Sequence, residues 1–87
     1  MTSLMGSSVL VTGASRGIGK AIAVAMGNAG ARVALVADSD STEVCRLITD
    51  AGGEARPYSV DVSEEVQVRK LFEAVLSDFG TVNVLVN

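Results

Sequence analysis

Histidine is absent from this 87-residue chain, and cysteine and proline occur once each. Without histidine, these residues cannot form a serine–histidine catalytic triad or a histidine-liganded metal site, and we expect no metal. The lone Cys45 cannot form an internal disulfide, so we expect an ordinary helix residue in a reducing, cytoplasmic compartment. The aromatic residues are only Tyr58, Phe72 and Phe79, so the core must be built from aliphatic side chains.

Long apolar runs and basic clusters are also missing. No apolar run is long enough to span a membrane, and residues 1–6 have neither the basic nor the apolar segment of a signal peptide. The net charge of −3 argues against nucleic acid as a partner. We therefore expect neither a membrane nor a nucleic-acid partner.

The chain alternates apolar strands with amphipathic helices, and short connections join them. Strands that are apolar on both faces are typical of a parallel sheet covered by helices on both sides. This pattern predicts an α/β fold, a Rossmann-type doubly wound parallel sheet of strand order 3-2-1-4. The predicted strands are Val9–Thr12, Arg32–Ala37, Arg56–Val60 and Val82–Val86; the predicted helices are Gly17–Asn28, 40–51 and 63–79.

The helix caps and buried faces follow from the same pattern. Asp40, with Glu43 three residues later, has the spacing of a capping box, and Ser63 is the predicted cap of the third helix. The predicted buried faces are Ile18, Ile22, Ala25 and Met26 on the first helix, Val44, Leu47, Ile48 and Ala51 on the second, and Val68, Leu71, Phe72, Val75, Leu76 and Phe79 on the third.

The fourth strand would lie at an edge of the predicted sheet, although Val82, Val84, Leu85 and Val86 are all apolar. Natural sheet edges are usually short, charged or covered. We therefore expect further strands to follow, with residues 1–87 as the amino-terminal part of a larger dinucleotide-binding domain.

The stretch from Thr12 to Gly19 places Gly13, Gly17 and Gly19 between the first strand and the first helix. Gly13 permits a tight turn, and the other two glycines let the helix start approach phosphates and the strand. Free N–H groups and the helix dipole can then hold an anion. A structural turn without a ligand is the alternative.

This stretch resembles the glycine motif of the classical short-chain dehydrogenases/reductases. Asp61-Val62 after the third strand and residues 84–87 resemble two further motifs of that family; Asn87 is similar to the first residue of its Asn-Asn-Ala-Gly motif. The resemblance implies NAD(P)-dependent hydride transfer between a carbonyl and an alcohol. Within that family, the chain also resembles the carrier-protein-linked beta-ketoacyl reductases. That resemblance implies 3-oxoacyl groups as one substrate class.

The resemblance also implies which residues touch the cofactor. Asp61 and Val62 would border the adenine, where the Asp61 carboxylate could accept from the exocyclic amine; a turn residue is the alternative for Asp61. The residues that would line the pyrophosphate and adenosine are Gly13, Ser15, Arg16, Gly17, Ile18 and Gly19. The family's catalytic residues lie beyond the fourth strand, so none is assigned, and we expect residues 1–87 alone to be inactive.

Asp38 and Arg16 favour different nicotinamide cofactors. An acid at the end of the second strand binds the ribose diol of NAD, but Asp38 lies one place beyond the family's usual acid. Arg16 could bind a 2′-phosphate through two hydrogen bonds. NADP(H) is therefore favoured over NAD(H). The alternatives are a solvated loop charge for Arg16 and a turn residue for Asp38.

The expected partner is thus a nicotinamide dinucleotide, and the resemblance implies a homo-oligomer for the full-length protein. Two other functions stay open on the sequence alone. One is a non-catalytic nucleotide-binding or partner-binding module that covers its apolar fourth strand with another protein. The other is an inactive gene fragment.

Overall fold

The computed structural model describes residues 5–61 and 63–86. Strands and helices alternate along the chain, as predicted. Two residues of the predicted motifs, Val62 and Asn87, lie outside the described residues. The elements are β1 (Ser8–Thr12), α1 (Gly17–Asn28), β2 (Arg32–Ala37), α2 (Thr42–Asp50), β3 (Glu54–Ser59), α3 (Glu65–Phe79) and β4 (Val84–Val86).

The four strands form one parallel sheet of order β3-β2-β1-β4, which confirms the predicted fold class and topology. Val9 of β1 pairs with Val33 of β2 on one side and with Val84 of β4 on the other. Because all strands run the same way, their ends collect at two opposite edges. We call the edge at Thr12, Ala37, Ser59 and Val86 the carboxyl edge. The edge at Ser8, Arg32, Glu54 and Val84 is the amino edge.

Alternate residues of the central strands enter two separate cores, because successive strand side chains point to opposite faces. The core between the sheet and the helices α1 and α2 contains Val9, Val11, Ala14, Ala23, Ala31, Val33, Leu35, Val44 and Ile48. The core between the sheet and α3 contains Leu10, Ala34, Val36, Leu71, Val75 and Phe79. The sheet is therefore covered on both faces, as the apolar strands predicted.

The buried face of α1 differs in part from the predicted one, since Ile22 and Met26 are partly buried and pack against the core as predicted. Ile18 is 79% exposed and Ala25 is also exposed, while Ala23 and Gly27 are the buried residues of the helix. A Cβ on Gly27 would lie 2.7 Å from Cγ2 of Ile48. Helix α1 thus meets α2 through its smallest residues, and close approach of the helices, rather than side-chain size, selects the face.

The buried faces of α2 and α3 are narrower than predicted. On α2, Val44 and Ile48 are buried, whereas Leu47 and Ala51 are exposed. On α3 the buried residues recur every four positions, at Leu71, Val75 and Phe79, whereas Phe72 and Leu76 are exposed. Each helix therefore rests on the sheet along a single row of side chains.

The predicted caps are wrong in detail. Helix α2 begins at Thr42, and Asp40 Oδ1 accepts the Thr42 N–H at 2.9 Å from outside the helix. Glu43 forms no capping box; its carboxylate lies 3.9 Å from Nζ of Lys20. Helix α3 begins at Glu65 without a side-chain cap, because the hydroxyl of Ser63 donates to Asp61 instead.

Three strands also begin at other residues than predicted, and β1 starts one residue earlier, at Ser8. Strand β3 starts two residues earlier, because its pairing with β2 already begins with Glu54 opposite Arg32. Strand β4 starts two residues later, where Asn83 bonds the main chain of Ser8 through both its side-chain oxygen and its own N–H, each at 2.8 Å. Pro57 lies in β3, an edge strand, where a residue without an N–H is tolerated.

Candidate functional site

The loop between β1 and α1 contains two glycines in the left-handed region of backbone conformation. Gly13 has φ +63° and Gly17 has φ +60°, angles that residues with a Cβ rarely adopt. Apart from the adjoining backbone, no heavy atom of the described chain lies within 4 Å of the place where either Cβ would stand. The backbone of this loop therefore borders open space, where a ligand can approach it closely.

Gly19 serves a different purpose in the same loop. A Cβ on Gly19 would overlap the carbonyl oxygen of Gly13 and lie 2.7 Å from its carbonyl carbon. Any side chain at this position would push the start of α1 away from the end of β1. The third glycine of the motif thus holds the helix start against the strand, in agreement with the role that its spacing predicts.

The N-terminus of α1 has no capping group. Arg16 occupies the cap position without a side-chain hydrogen bond, and the first turn carries no acidic residue. Within the described part of the chain, the N–H groups of Gly17, Ile18 and Gly19 have no hydrogen-bond partner. These donors, together with the positive end of the helix dipole, suit an anion.

A cavity of about 210 Å³ opens at the carboxyl edge, beside the glycine loop. It brings three predicted site residues together: Gly13, Asp38 and Asp61. Asp38 is exposed, and its carboxylate has no partner among residues 5–61 and 63–86. The lining consists of Thr12, Gly13, Val36, Ala37, Asp38, Val60 and Asp61.

Asp61 is held in place by the chain that follows it. Its Oδ1 atom accepts hydrogen bonds from the Ser63 hydroxyl at 2.6 Å and the Ser63 N–H at 2.9 Å. Its own N–H donates to Oε1 of Gln67, in the first turn of α3, at 3.0 Å. The hydrogen bonds from Ser63 lower the pKa of Asp61 below its ordinary value, so near neutral pH this side chain is a hydrogen-bond acceptor only.

The remaining loop residues divide into fixed and open positions. The hydroxyl oxygens of Ser15 and Ser39 are 2.7 Å apart, which joins the glycine loop to the loop after β2. The Ala14 N–H donates to the Val36 carbonyl oxygen at 3.1 Å. The guanidinium of Arg16, in contrast, is exposed and makes no hydrogen bond or ion pair with any described residue.

Some residues of this region were not predicted from the sequence. Thr12, Ala37 and Val60 line the cavity because they end, or directly follow, neighbouring parallel strands, and the predicted strand ends could have indicated them. Ser39, Ser63 and Gln67 carry no such signal, since their contacts depend on how the loops fold. Within the described ranges there is no helix of membrane-spanning length and apolarity, and no cluster of potential metal ligands.

Comparison with known proteins identifies the family. Residues 7–87 match the short chain dehydrogenase family. The chain belongs to this family. An uncharacterized oxidoreductase of Methylorubrum extorquens is 44% identical over the whole chain, which spans 36% of that protein. The chain thus covers about a third of this relative's length.

Two solved structures similar to this chain contain a dinucleotide. A metagenomic short-chain oxidoreductase in complex with NADP is 43% identical and has a TM-score of 0.92. The match covers 97% of this chain and 39% of the oxidoreductase chain. A protein described as a D-mannonate oxidoreductase from Haemophilus influenza, with bound NAD, is 25% identical with a TM-score of 0.90. That match covers 95% of this chain and 30% of the other.

Proposed function

We propose that this chain is the nicotinamide-dinucleotide-binding part of an oxidoreductase that transfers hydride between a carbonyl and an alcohol. The observation that carries the proposal is the set of N–H groups at Gly17, Ile18 and Gly19 that have no partner among the described residues, beside a loop whose glycines leave open space. Family membership and the two dinucleotide-bound structures support it. The donors match an anion, and a dinucleotide presents a diphosphate.

The diphosphate would lie against the glycine loop. Gly13 and Gly17 allow the main chain to approach it, and Gly19 keeps the helix dipole close behind. Ser15 and Ile18 complete this part of the site as proposed contacts. The fit rests on geometry, because side chains at the first two glycines would occupy the space that the phosphates need.

The adenosine would enter the cavity at the carboxyl edge. Asp61, an acceptor at the cavity wall, suits the exocyclic amine of adenine, and Val62 is the proposed apolar neighbour of the base. Asp38 lies on the wall formed by the end of β2, where ribose recognition occurs in dinucleotide-binding folds.

We further propose NADP(H) as the preferred cofactor. The exposed Arg16 guanidinium has no partner in the described chain and can form two hydrogen bonds with a 2′-phosphate. Asp38 opposes this preference, because its carboxylate repels a phosphate. The proposal therefore requires that attraction by Arg16 exceed repulsion by Asp38.

We assign the hydride chemistry to no residue of this chain. Tyr58 and Lys20, whose side chains could carry protons, match no catalytic position of the family. We propose a carbonyl or alcohol substrate, with 3-oxoacyl groups as one class.

The homo-oligomer and the cytoplasmic location predicted from the sequence stay predictions, because both concern the whole protein.

Calorimetric titration tests the proposed function. The chain should bind NADPH and NADH, with NADPH tighter, but not nicotinamide mononucleotide, which lacks the adenosine diphosphate half. The mononucleotide is the matched control, because the described residues provide no nicotinamide contact in this proposal. Absence of binding to both dinucleotides would refute the proposed function; equal binding of all three ligands would refute the proposed site.

A further inference from the structure

The two oxygens of the Asp61 carboxylate differ in their hydrogen bonding. Oδ1 accepts two hydrogen bonds from Ser63, whereas Oδ2 has no partner in the described chain, although Asp61 lines the cavity at the carboxyl edge. One oxygen thus anchors the side chain and the other is left for a ligand. The main chain on the other side is fixed as well, since the Asp61 N–H donates to Gln67.

We propose that Ser63 is a positioning residue that orients Asp61 so that the cavity selects a purine carrying a 6-amino group. This inference rests on the proposed function and deepens its adenine contact. An ionised carboxylate accepts hydrogen bonds and donates none. It therefore favours the 6-amine of adenine, a donor, and disfavours the 6-oxo group of hypoxanthine, an acceptor.

The role of Ser63 follows from the exposure of Asp61. A free aspartate at the surface samples several rotamers, so an unanchored carboxylate would meet the base in only a fraction of them. The hydroxyl of Ser63 at 2.6 Å removes that freedom. Threonine retains the hydroxyl, whereas alanine leaves only the weaker constraint from the main-chain N–H.

The test compares NADPH with its hypoxanthine analogue, the nicotinamide hypoxanthine dinucleotide phosphate, by calorimetry on the full chain. The readout is the ratio of the two dissociation constants, which a general loss of folding or of diphosphate binding does not change. The unsubstituted chain should favour the adenine form by about tenfold or more, the effect of one hydrogen bond to a charged group.

Ser63→Ala should lower this ratio at least about threefold, whereas Ser63→Thr should keep it near the unsubstituted value, because threonine retains the hydroxyl that alanine lacks. Ser77→Ala, which removes an exposed hydroxyl on α3, is the matched control and should leave the ratio unchanged. An unchanged ratio in Ser63→Ala, with normal affinity for NADPH, would overturn the role of Ser63 alone. If the unsubstituted chain bound neither dinucleotide, the proposed function and this inference would both fall.

Discussion

At the amino edge of the sheet, the guanidinium of Arg32 joins three elements. Its Nη2 atom donates to Ser8 Oγ at 2.7 Å and to the Phe79 carbonyl oxygen at 2.9 Å, and its Nε lies 3.9 Å from Glu54. At the carboxyl edge, the charged groups of Arg16 and Asp38 have no partner in the described chain. The same sheet thus has one edge where a charged group bonds its neighbours, and one where two charged groups have no partner in the described chain.

The sizes of the cavities at the two edges do not match this difference in hydrogen bonding. The larger cavity, about 540 Å³, lies at the amino edge, where its charged lining residues Arg32 and Glu54 form an ion pair. The cavity at the carboxyl edge has about 210 Å³, and its lining includes the Asp38 carboxylate and Oδ2 of Asp61, which have no partner in the described chain. We therefore take unsatisfied hydrogen-bonding groups, rather than volume, as the guide to the proposed ligand site. The following substitutions test this contrast, from the largest expected effect to the smallest.

Gly19→Val should abolish dinucleotide binding. The new side chain would overlap the carbonyl group of Gly13 and separate the α1 N-terminus from the loop, and overpacking of this kind costs about 1–3 kcal/mol of stability. Ala25→Val adds similar bulk at an exposed position of the same helix and is the control. Calorimetry with NADPH, supported by thermal melting, measures both effects; full affinity in Gly19→Val would disprove the close approach.

Arg16→Ala should weaken NADPH binding by about 1.5–3 kcal/mol, the value of a charge-assisted hydrogen bond, with little change in NADH binding or in melting temperature. The guanidinium makes no contact within the described chain whose loss could lower stability. Arg69→Ala removes a charge on α3 and is the control. Equal weakening of both cofactors would argue against recognition of the 2′-phosphate by Arg16.

Arg32→Ala should have the opposite profile. It should lower the free energy of unfolding by about 1.5–3 kcal/mol, because the buried Ser8 hydroxyl and the Phe79 carbonyl lose their charged donor. Cofactor affinity of the folded chain should change little. Urea unfolding and calorimetry separate the two quantities. A loss of affinity without a loss of stability would place the ligand at the amino edge and reverse the contrast.

Tyr58 lies in β3 and belongs to neither group of residues compared above. Its ionisation should change only the stability of the chain, and only at alkaline pH. Burial and the hydrogen bond from Tyr58 to Asp78, at 2.6 Å, raise the pKa of the tyrosine hydroxyl. Between about pH 10 and the higher pKa of the folded state, the unfolded chain has released this proton while the folded chain keeps it. Stability conferred by this group is complete below that range and declines as pH rises through it.

Tyr58→Phe should remove that alkaline decline without changing cofactor affinity near neutral pH. Tyr58 is the only tyrosine of the chain, so the ultraviolet absorbance of tyrosinate reports its titration directly. An ordinary tyrosine pKa in the folded chain would show that the bond to Asp78 is not formed in solution.

The sequence predicted the topology because each level of the pattern agrees with it. Apolar runs such as Val33 to Ala37 indicate a buried parallel strand, and the spacing of Gly13, Gly17 and Gly19 indicates a tight strand-to-helix turn. These signals are local, so they can be recognised in the sequence without knowledge of the folded chain. The element order, sheet order and approximate bounds followed from them.

Other features depend on side-chain contacts, some distant and some local, that the sequence pattern does not specify, and they could not be predicted. Gly27 became a buried contact of α1 because Ile48 of α2 packs against it. Ser63 was predicted as a helix cap, but its hydroxyl and N–H both bond Asp61, a local competitor of the cap. The hydrogen bond between the Asp61 N–H and Gln67 could be predicted only from the position of α3 in the fold. The periodicity of apolar residues does not give that position.

Amide chemical shifts in two-dimensional nuclear magnetic resonance spectra, recorded with and without NADPH, test the free donors of the carboxyl edge most directly. We predict that the largest shifts occur at the amides of residues 13–19, followed by those near Asp38 and Asp61, while Arg32 and Asn83 at the amino edge change little. Largest shifts at the amino edge, or no shifts in the glycine loop at saturating ligand, would contradict the account.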